Sequence, residues 1–132
     1  MEEYLNLDSI NKLELDAEYK DNNPYPHIVI DNFLNEDIAK ELESYAKSLR
    51  KKDCSAKSNH KKAIKKYAFD NINNFPKNIQ NIFKFLNSDT FIKKLEHLTG
   101  IKDLITNNIT LKGAGFHKIF NGGFLNLHTD FN

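Results

Sequence analysis

The sequence has 132 residues, 28% charged and 39% hydrophobic, a formal net charge of +1 and a mean hydropathy of −0.61, a composition that fits one globular domain. No apolar run nears the roughly 20 residues of a membrane-spanning helix, and the opening MEEYLNLDSI is acidic and polar where a secretory leader is basic and then apolar, so a cytoplasmic address is expected. A single cysteine, Cys54, excludes an internal disulfide and a thiolate zinc cage, which leaves His and carboxylate as metal donors.

The near-neutral total conceals a split. Residues 1–50 carry 5 Lys/Arg against 12 Asp/Glu, and residues 51–132 carry 14 against 6. A basic half can face nucleic acid or simply pack against an acidic one. Lys makes up 18 of the 19 basic residues, and bidentate phosphate recognition favours Arg, which weighs against nucleic acid as a partner.

In chain order, Asp8 to Tyr19 reads as a short helix capped by Asp8, with Leu7, Ile10, Leu13 and Ala17 near one face. Asn22, Asn23, Pro24 and Pro26 break it. His27 to Asp31 is a brief β-branched run that predicts a buried strand. Asn35 precedes Glu36 and Asp37, and Ile38, Leu42, Tyr45, Ala46 and Leu49 recur at three- and four-residue steps, which predicts a capped amphipathic helix over 36–50. The Lys-rich stretch Lys51 to Lys66 reads as an exposed loop leading into a strand near Lys66 to Phe69.

Pro76 suits a first helical position, and Ile79, Ile82, Phe83 and Leu86 predict a helix over 76–86. A second helix starts from Ser88 as cap, runs through Phe91, Ile92, Leu95 and Leu98, and ends at Gly100. Ile109 to Phe120 is strand-like with Gly113 and Gly115 inside it, Asn121-Gly122-Gly123 reads as a turn, and Phe124 to Asp130 alternates with period two. Helices first and strands last indicate an α+β arrangement.

On that last predicted strand His128 and Asp130 stand two apart, so both side chains leave the same face. An imidazole nitrogen and a carboxylate oxygen so placed suit a first-row metal held by two His and one carboxylate, with the opposite side open. The bare spacing is weak, since 5 His among 132 residues give roughly 0.4 His-x-Asp pairs by chance. A glycine-rich approach and the alternation of Leu125 and Leu127 around Asn126 strengthen it.

The stretch Gly113-Ala114-Gly115-Phe116-His117, followed by Gly122-Gly123-Phe124-Leu125-Asn126-Leu127-His128-Thr129-Asp130-Phe131-Asn132, resembles the metal-binding segment of Fe(II)/2-oxoglutarate-dependent oxygenases of the prolyl 4-hydroxylase-like group. Pro24 to Leu34 is similar to the lead-in strand of that group, and Leu86-Asn87-Ser88 through Leu98-Thr99-Gly100-Ile101 to its helices before the barrel. The resemblance covers residues 24–132 in order. It implies N-terminal helices packed on the first strands of an incomplete double-stranded β-helix, or jelly roll. Residues 1–104 would be mainly helical support with a lead-in strand near 27–31, and residues 105–132 the first strands of the oxygenase β-helix.

Carried over residue by residue, His128 and Asp130 would be iron ligands. The implied activity is oxygen-dependent hydroxylation with Fe(II) as metal, 2-oxoglutarate as cosubstrate, and ascorbate a candidate reductant. The partners would be 2-oxoglutarate, molecular oxygen and an unidentified substrate, either a prolyl residue in a protein or a small molecule. The family's third ligand, a second His, and its 2-oxoglutarate-anchoring Arg or Lys lie downstream of His-x-Asp. None of His27, His60, His97 and His117 stands in that order, and the only arginine, Arg50, lies far upstream. Where related hydroxylases often place a Tyr, this sequence has Lys118, Ile119 and Phe120. The sequence is therefore expected to be an N-terminal portion of a longer enzyme with little activity alone.

Two other readings stand beside this one: a metal-free module with Lys51 to Lys66 as a basic contact surface, and another His/Asp metalloenzyme such as a hydrolase using metal-bound water. His117 could line the pocket or be structural, His27 reads as a strand-start hydrogen bonder, and Cys54 has no nucleophile constellation around it.

Overall fold

Apolar residues in the N-terminal quarter set the first packing problem, and the chain solves it by bringing Leu5 and Leu13 against Phe91 and Leu98. The computed structural model describes residues 1–60, 63–107, 110–111 and 114–128. Its elements are Leu7–Lys12 (α1), Asp16–Asp21 (α2), Glu36–Ser48 (α3), Ala56–His60 (β1), Ala63–Phe69 (β2), Lys77–Leu86 (α4), Asp89–Thr99 (α5) and Phe116–Leu125 (β3). The α+β class is therefore observed. No helix among the described residues is long and apolar enough to cross a membrane.

The chain divides into two compact units, Met1–Leu42 with Pro76–Ile109, and Glu43–Phe75 with Thr110–Asn132. In the first, Ile10, Ile28, Ile30, Phe33, Leu86 and Leu95 pack around the Leu5, Leu13, Phe91 and Leu98 core. Tyr4 stacks on Phe85 at 4.5 Å, and Phe85 tilts against Phe91 at 5.4 Å. Ile79 and Ile82 on α4 are each 1% exposed, and burial of such a side chain stabilises by about 1.5–3 kcal/mol. The two helices meet at a short corner where Ser88 accepts from the Phe91 N–H and donates to the Phe85 carbonyl, and α5 stops at left-handed Gly100. Both signals were readable in advance.

Three expectations about the first helix are corrected. The single helix over 8–19 is two short ones: the N–H groups of Glu14 and Leu15 bond three residues back, to Asn11 and Lys12, and the chain turns there. Asn6, not Asp8, caps α1. The anticipated face holds at Ile10 and Leu13, which reach the core, and fails at Leu7, which is 62% exposed while Ser9 is buried and donates to the Asn32 carbonyl.

Residues 27–31 form no strand. Ile28 and Ile30 reach the core cluster while Val29 between them is 68% exposed, so the alternation is met by packing alone. The bridge forms further on, between Leu5 and Leu34, flanked by Asn6 N–H to the Phe33 carbonyl and Asn35 N–H to the Tyr4 carbonyl.

The expected helix over 36–50 is α3. Ile38, Leu42, Tyr45 and Ala46 are half-buried on its inner stripe, and Glu36–Lys40 and Glu43–Lys47 pair along the outer one at 2.6 Å each.

The second unit holds a three-stranded antiparallel sheet in the order β1-β2-β3. The lysine-rich stretch read as a loop contributes β1. Ala56 pairs with Ala68, Lys57 with Tyr67 and Ser58 with Lys66. An edge strand can be this polar, since Lys at an edge deters unwanted pairing and its stem still covers apolar surface. Lys57 does so over the Tyr67 ring, at 5.7 Å. Ala63, Tyr67 and Phe69 are the buried residues of β2; Phe120 packs edge to face on Tyr67, and the rings of Tyr45, Phe75 and Phe116 meet one another edge to face.

The turn expected at Asn121-Gly122-Gly123 is not a turn. These residues lie inside β3, where Lys66 pairs with Ile119 and Ile64 with Phe124, so that Phe120 to Gly123 stand opposite Lys65 alone. Gly122 has φ +73° and Lys65 has φ +53°, and Lys65 Nζ donates to the Asn121 carbonyl at 3.1 Å. A glycine pair serves such a bulge as readily as a hairpin turn. Ile109 and Gly113 of the anticipated strand lie outside the described residues.

Candidate functional site

β3 carries the approach to the anticipated metal pair. Its start is fixed by Gly115, where an added Cβ would stand 2.2 Å from the Phe69 carbonyl oxygen. From there Phe116, Lys118 and Phe120 share the Tyr67 side of the sheet, and His117 and Ile119 take the other. The strand ends at Leu125, so the predicted alternation up to Asp130 does not continue as strand through Asn126, Leu127 and His128.

His128 is exposed, and its Nδ1 lies 2.7 Å from the Asn126 carbonyl oxygen. A carbonyl only accepts, so Nδ1 is the donor of this bond. Metal-ligating histidines usually have their other nitrogen oriented in this way by a carbonyl or carboxylate, and the imidazole fits a divalent iron in that respect. Asp130, the second residue of the pair, lies outside the described residues. Among those described, no three His, Cys, Asp or Glu side chains converge as a metal-holding group.

The remaining histidines separate. His27 places Nδ1 at 2.8 Å from the Tyr25 carbonyl oxygen, with the two rings 5.4 Å apart, a local hydrogen bond at a position where the expected strand does not start. His97 is exposed in the last turn of α5. His117 lines a hollow of about 330 Å³ with Glu43, Lys47 and Phe116. Desolvation and the Lys66 charge hold its pKa below the ordinary value, against a smaller opposite pull from Asp70. Cys54 is a half-buried free thiol.

Two features of this unit gave no signal in the sequence. Lys118, read as standing where relatives place a tyrosine, donates from Nζ to the Ala46, Lys47 and Leu49 carbonyls at 2.9 Å each. Arg50, read only as misplaced for 2-oxoglutarate, lines a cleft of about 710 Å³ with Tyr45, Asn71, Asn74 and Phe75. Neither could be found from periodicity, because the partners come from segments about 20 to 70 residues apart in the chain.

No family model matches the chain, and neither a curated protein nor a solved structure does.

Proposed function

We propose that the chain belongs to a non-haem Fe(II)/2-oxoglutarate-dependent dioxygenase, a hydroxylase of the prolyl 4-hydroxylase-like kind, with His128 and Asp130 as iron ligands. In this reading β1, β2 and β3 are the opening strands of a jelly roll. What supports it from the structure is the His128 ring, placed just beyond the end of β3 with Nδ1 donating to the Asn126 carbonyl, the orientation in which a histidine ligates through Nε2. The motif Gly122-Gly123-Phe124-Leu125-Asn126-Leu127-His128-Thr129-Asp130 supports it from the sequence side.

His128 would give the metal a neutral nitrogen and Asp130 a negative charge that favours a divalent ion. The bound iron and 2-oxoglutarate supply oxygen-dependent hydroxylation of an unactivated C–H bond with release of succinate. The reading requires a third ligand and a 2-oxoglutarate-anchoring cation that no residue of these 132 occupies by motif. The substrate is a prolyl residue in a protein or a small molecule, and ascorbate is the candidate reductant.

The test is Fe(II)-dependent succinate release from 2-oxoglutarate by the protein expressed from its own gene, with His128→Ala and Asp130→Ala beside it. Turnover lost in both variants, together with weaker anaerobic Co(II) binding followed by its visible absorption, is the expected result. Turnover that survives both substitutions overturns the assignment. A basic contact surface is the second reading, favoured by the exposure of Lys51, Lys52 and Lys57 at the edge of the sheet. Under that reading the His128 and Asp130 variants behave as the parent.

A further inference from the structure

The second unit contains a cleft of about 710 Å³, within the range of about 300–1,000 Å³ usual for small-molecule sites. Its apolar wall comes from Tyr45, Leu49, Phe69 and Phe75, with the Tyr45 and Phe75 rings meeting edge to face at 5.6 Å. The rest of the lining is polar, and its hydrogen-bonding groups are unevenly committed.

Arg50 is the only arginine of the chain. Its Nε donates to Asp53 Oδ2 at 3.2 Å, and no other described residue takes the hydrogens on its two Nη atoms. Asn71 uses its side-chain oxygen to accept from the Asn73 N–H at 3.1 Å, which leaves the amide NH₂ to donate. Ser55 Oγ accepts from the Asp70 N–H at 3.2 Å and keeps its O–H as donor. The Asn74 side chain makes no hydrogen bond to a described residue. Burial and, after it, the Asp53 carboxylate push the Tyr45 hydroxyl upward, so it remains a neutral donor.

The cleft therefore offers a fork of guanidinium donors and further N–H and O–H groups beside three aromatic rings. Donors in excess call for an acceptor-rich ligand, a planar fork suits a carboxylate, and ring walls suit a flat ring. We propose that this cleft binds an aromatic carboxylate, with the carboxylate on Arg50, Asn71 and Asn74 and the ring against Tyr45 and Phe75. Asp53 holds the guanidinium in place. The site shares no residue with His128 and Asp130, so it stands or falls independently of the oxygenase reading.

The test is an amide-resolved NMR titration of the protein with benzoate, benzamide and 2-oxoglutarate. Benzoate is expected to saturate, with shifts confined to the amides of residues 45–55 and 69–75. Benzamide, which has the ring without the charge, and 2-oxoglutarate, which has carboxylates without the ring, bind more weakly. Arg50→Gln weakens benzoate binding at least about tenfold, as loss of a charge-assisted pair requires, and Asn74→Ala weakens it by a smaller factor. Unshifted amides in residues 63–67 and 116–125, in the sheet of the same unit but away from the cleft, show that these variants remain folded. Equal benzoate affinity in Arg50→Gln, tighter binding of 2-oxoglutarate than of benzoate, shifts centred elsewhere, or no saturation by about 20 mM overturns the proposal.

Discussion

Lys118 is bound to Leu49: its Nζ donates to the Leu49 carbonyl at 2.9 Å, and at the same distance to Ala46 and Lys47. The last carbonyls of a helix have no partner within it and carry the negative end of its dipole. One ammonium group on β3 thus satisfies three acceptors at the end of α3. Lys118→Met keeps the stem and removes these bonds. It is expected to cost about 2 kcal/mol, read from the urea midpoint at constant slope. Lys47 also sits in the last turn, but it is exposed and paired only with exposed Glu43, so Lys47→Ala should leave the midpoint unchanged. Equal effects at the two positions would refute this account of the helix end.

Gly115 and Gly122 are both on the approach to the candidate metal segment, yet they serve different physical needs. At Gly115 an added Cβ meets backbone, 2.2 Å from the Phe69 carbonyl oxygen and 2.8 Å from the Asp70 Cα. Main chain cannot step aside without disturbing the sheet, so Gly115→Ala should cost about 3 kcal/mol or more. At Gly122 the close atom is the flexible Lys65 Nζ, and the cost comes from φ +73°, so Gly122→Ala should cost about 1 kcal/mol. Thermal midpoints of the two variants check the order. A milder effect at Gly115 would mean that β2 and β3 do not approach as described.

These glycines also show where sequence reading stops. Helices α3, α4 and α5 were legible because one stripe of apolar residues and a nearby cap or glycine agree, as at Ser88 and Gly100. β1 was not, because an edge strand with lysines on it has the composition of a loop, and only its pairing with Tyr67 and Ala68 makes it a strand. Asn121-Gly122-Gly123 was recognised as special backbone, but turn and bulge demand the same residues, and the partner strand decides between them. The expectation at His128 rests on its motif. The Arg50 cleft was not legible, since Arg50 and Asn74 meet only when the ends of α3 and β2 come together.

His117 supplies a pH prediction. Its folded pKa lies below the ordinary 6.5, first through desolvation and then through the Lys66 charge, with Asp70 opposing. Glu43 and Lys47, which share its hollow, hold each other in an ion pair. A base with a lowered folded pKa binds fewer protons folded than unfolded between the two values, so stability rises with pH across that window and is lost as pH falls through it. His117→Gln removes this contribution. Between about pH 7 and about pH 5 its thermal midpoint should fall less than that of the parent. An NMR titration of the His117 ring should place its pKa below 6.5, and an unaltered pH slope in the variant would count against the assignment.

Ser88 joins two helices through a single hydroxyl. Its Oγ accepts from the Phe91 N–H at 3.3 Å and donates to the Phe85 carbonyl at 2.7 Å, so one side chain caps the start of α5 and ties it to the last turn of α4. Both backbone groups are part-buried; the Phe85 carbonyl keeps the Ser88 N–H at 2.9 Å, while the Phe91 N–H loses its capping acceptor where water replaces it poorly. Ser88→Ala should therefore cost about 1–2 kcal/mol, the upper part of the range for a lost cap. Ser88→Asp restores an acceptor for the Phe91 N–H and a favourable charge at the helix start, while it cannot donate to Phe85. It should recover part of the loss, and the difference between the two variants isolates the bond to Phe85. Chemical denaturation followed by far-ultraviolet circular dichroism measures both, and a Ser88→Asp variant no more stable than Ser88→Ala would show that the cap contributes nothing here.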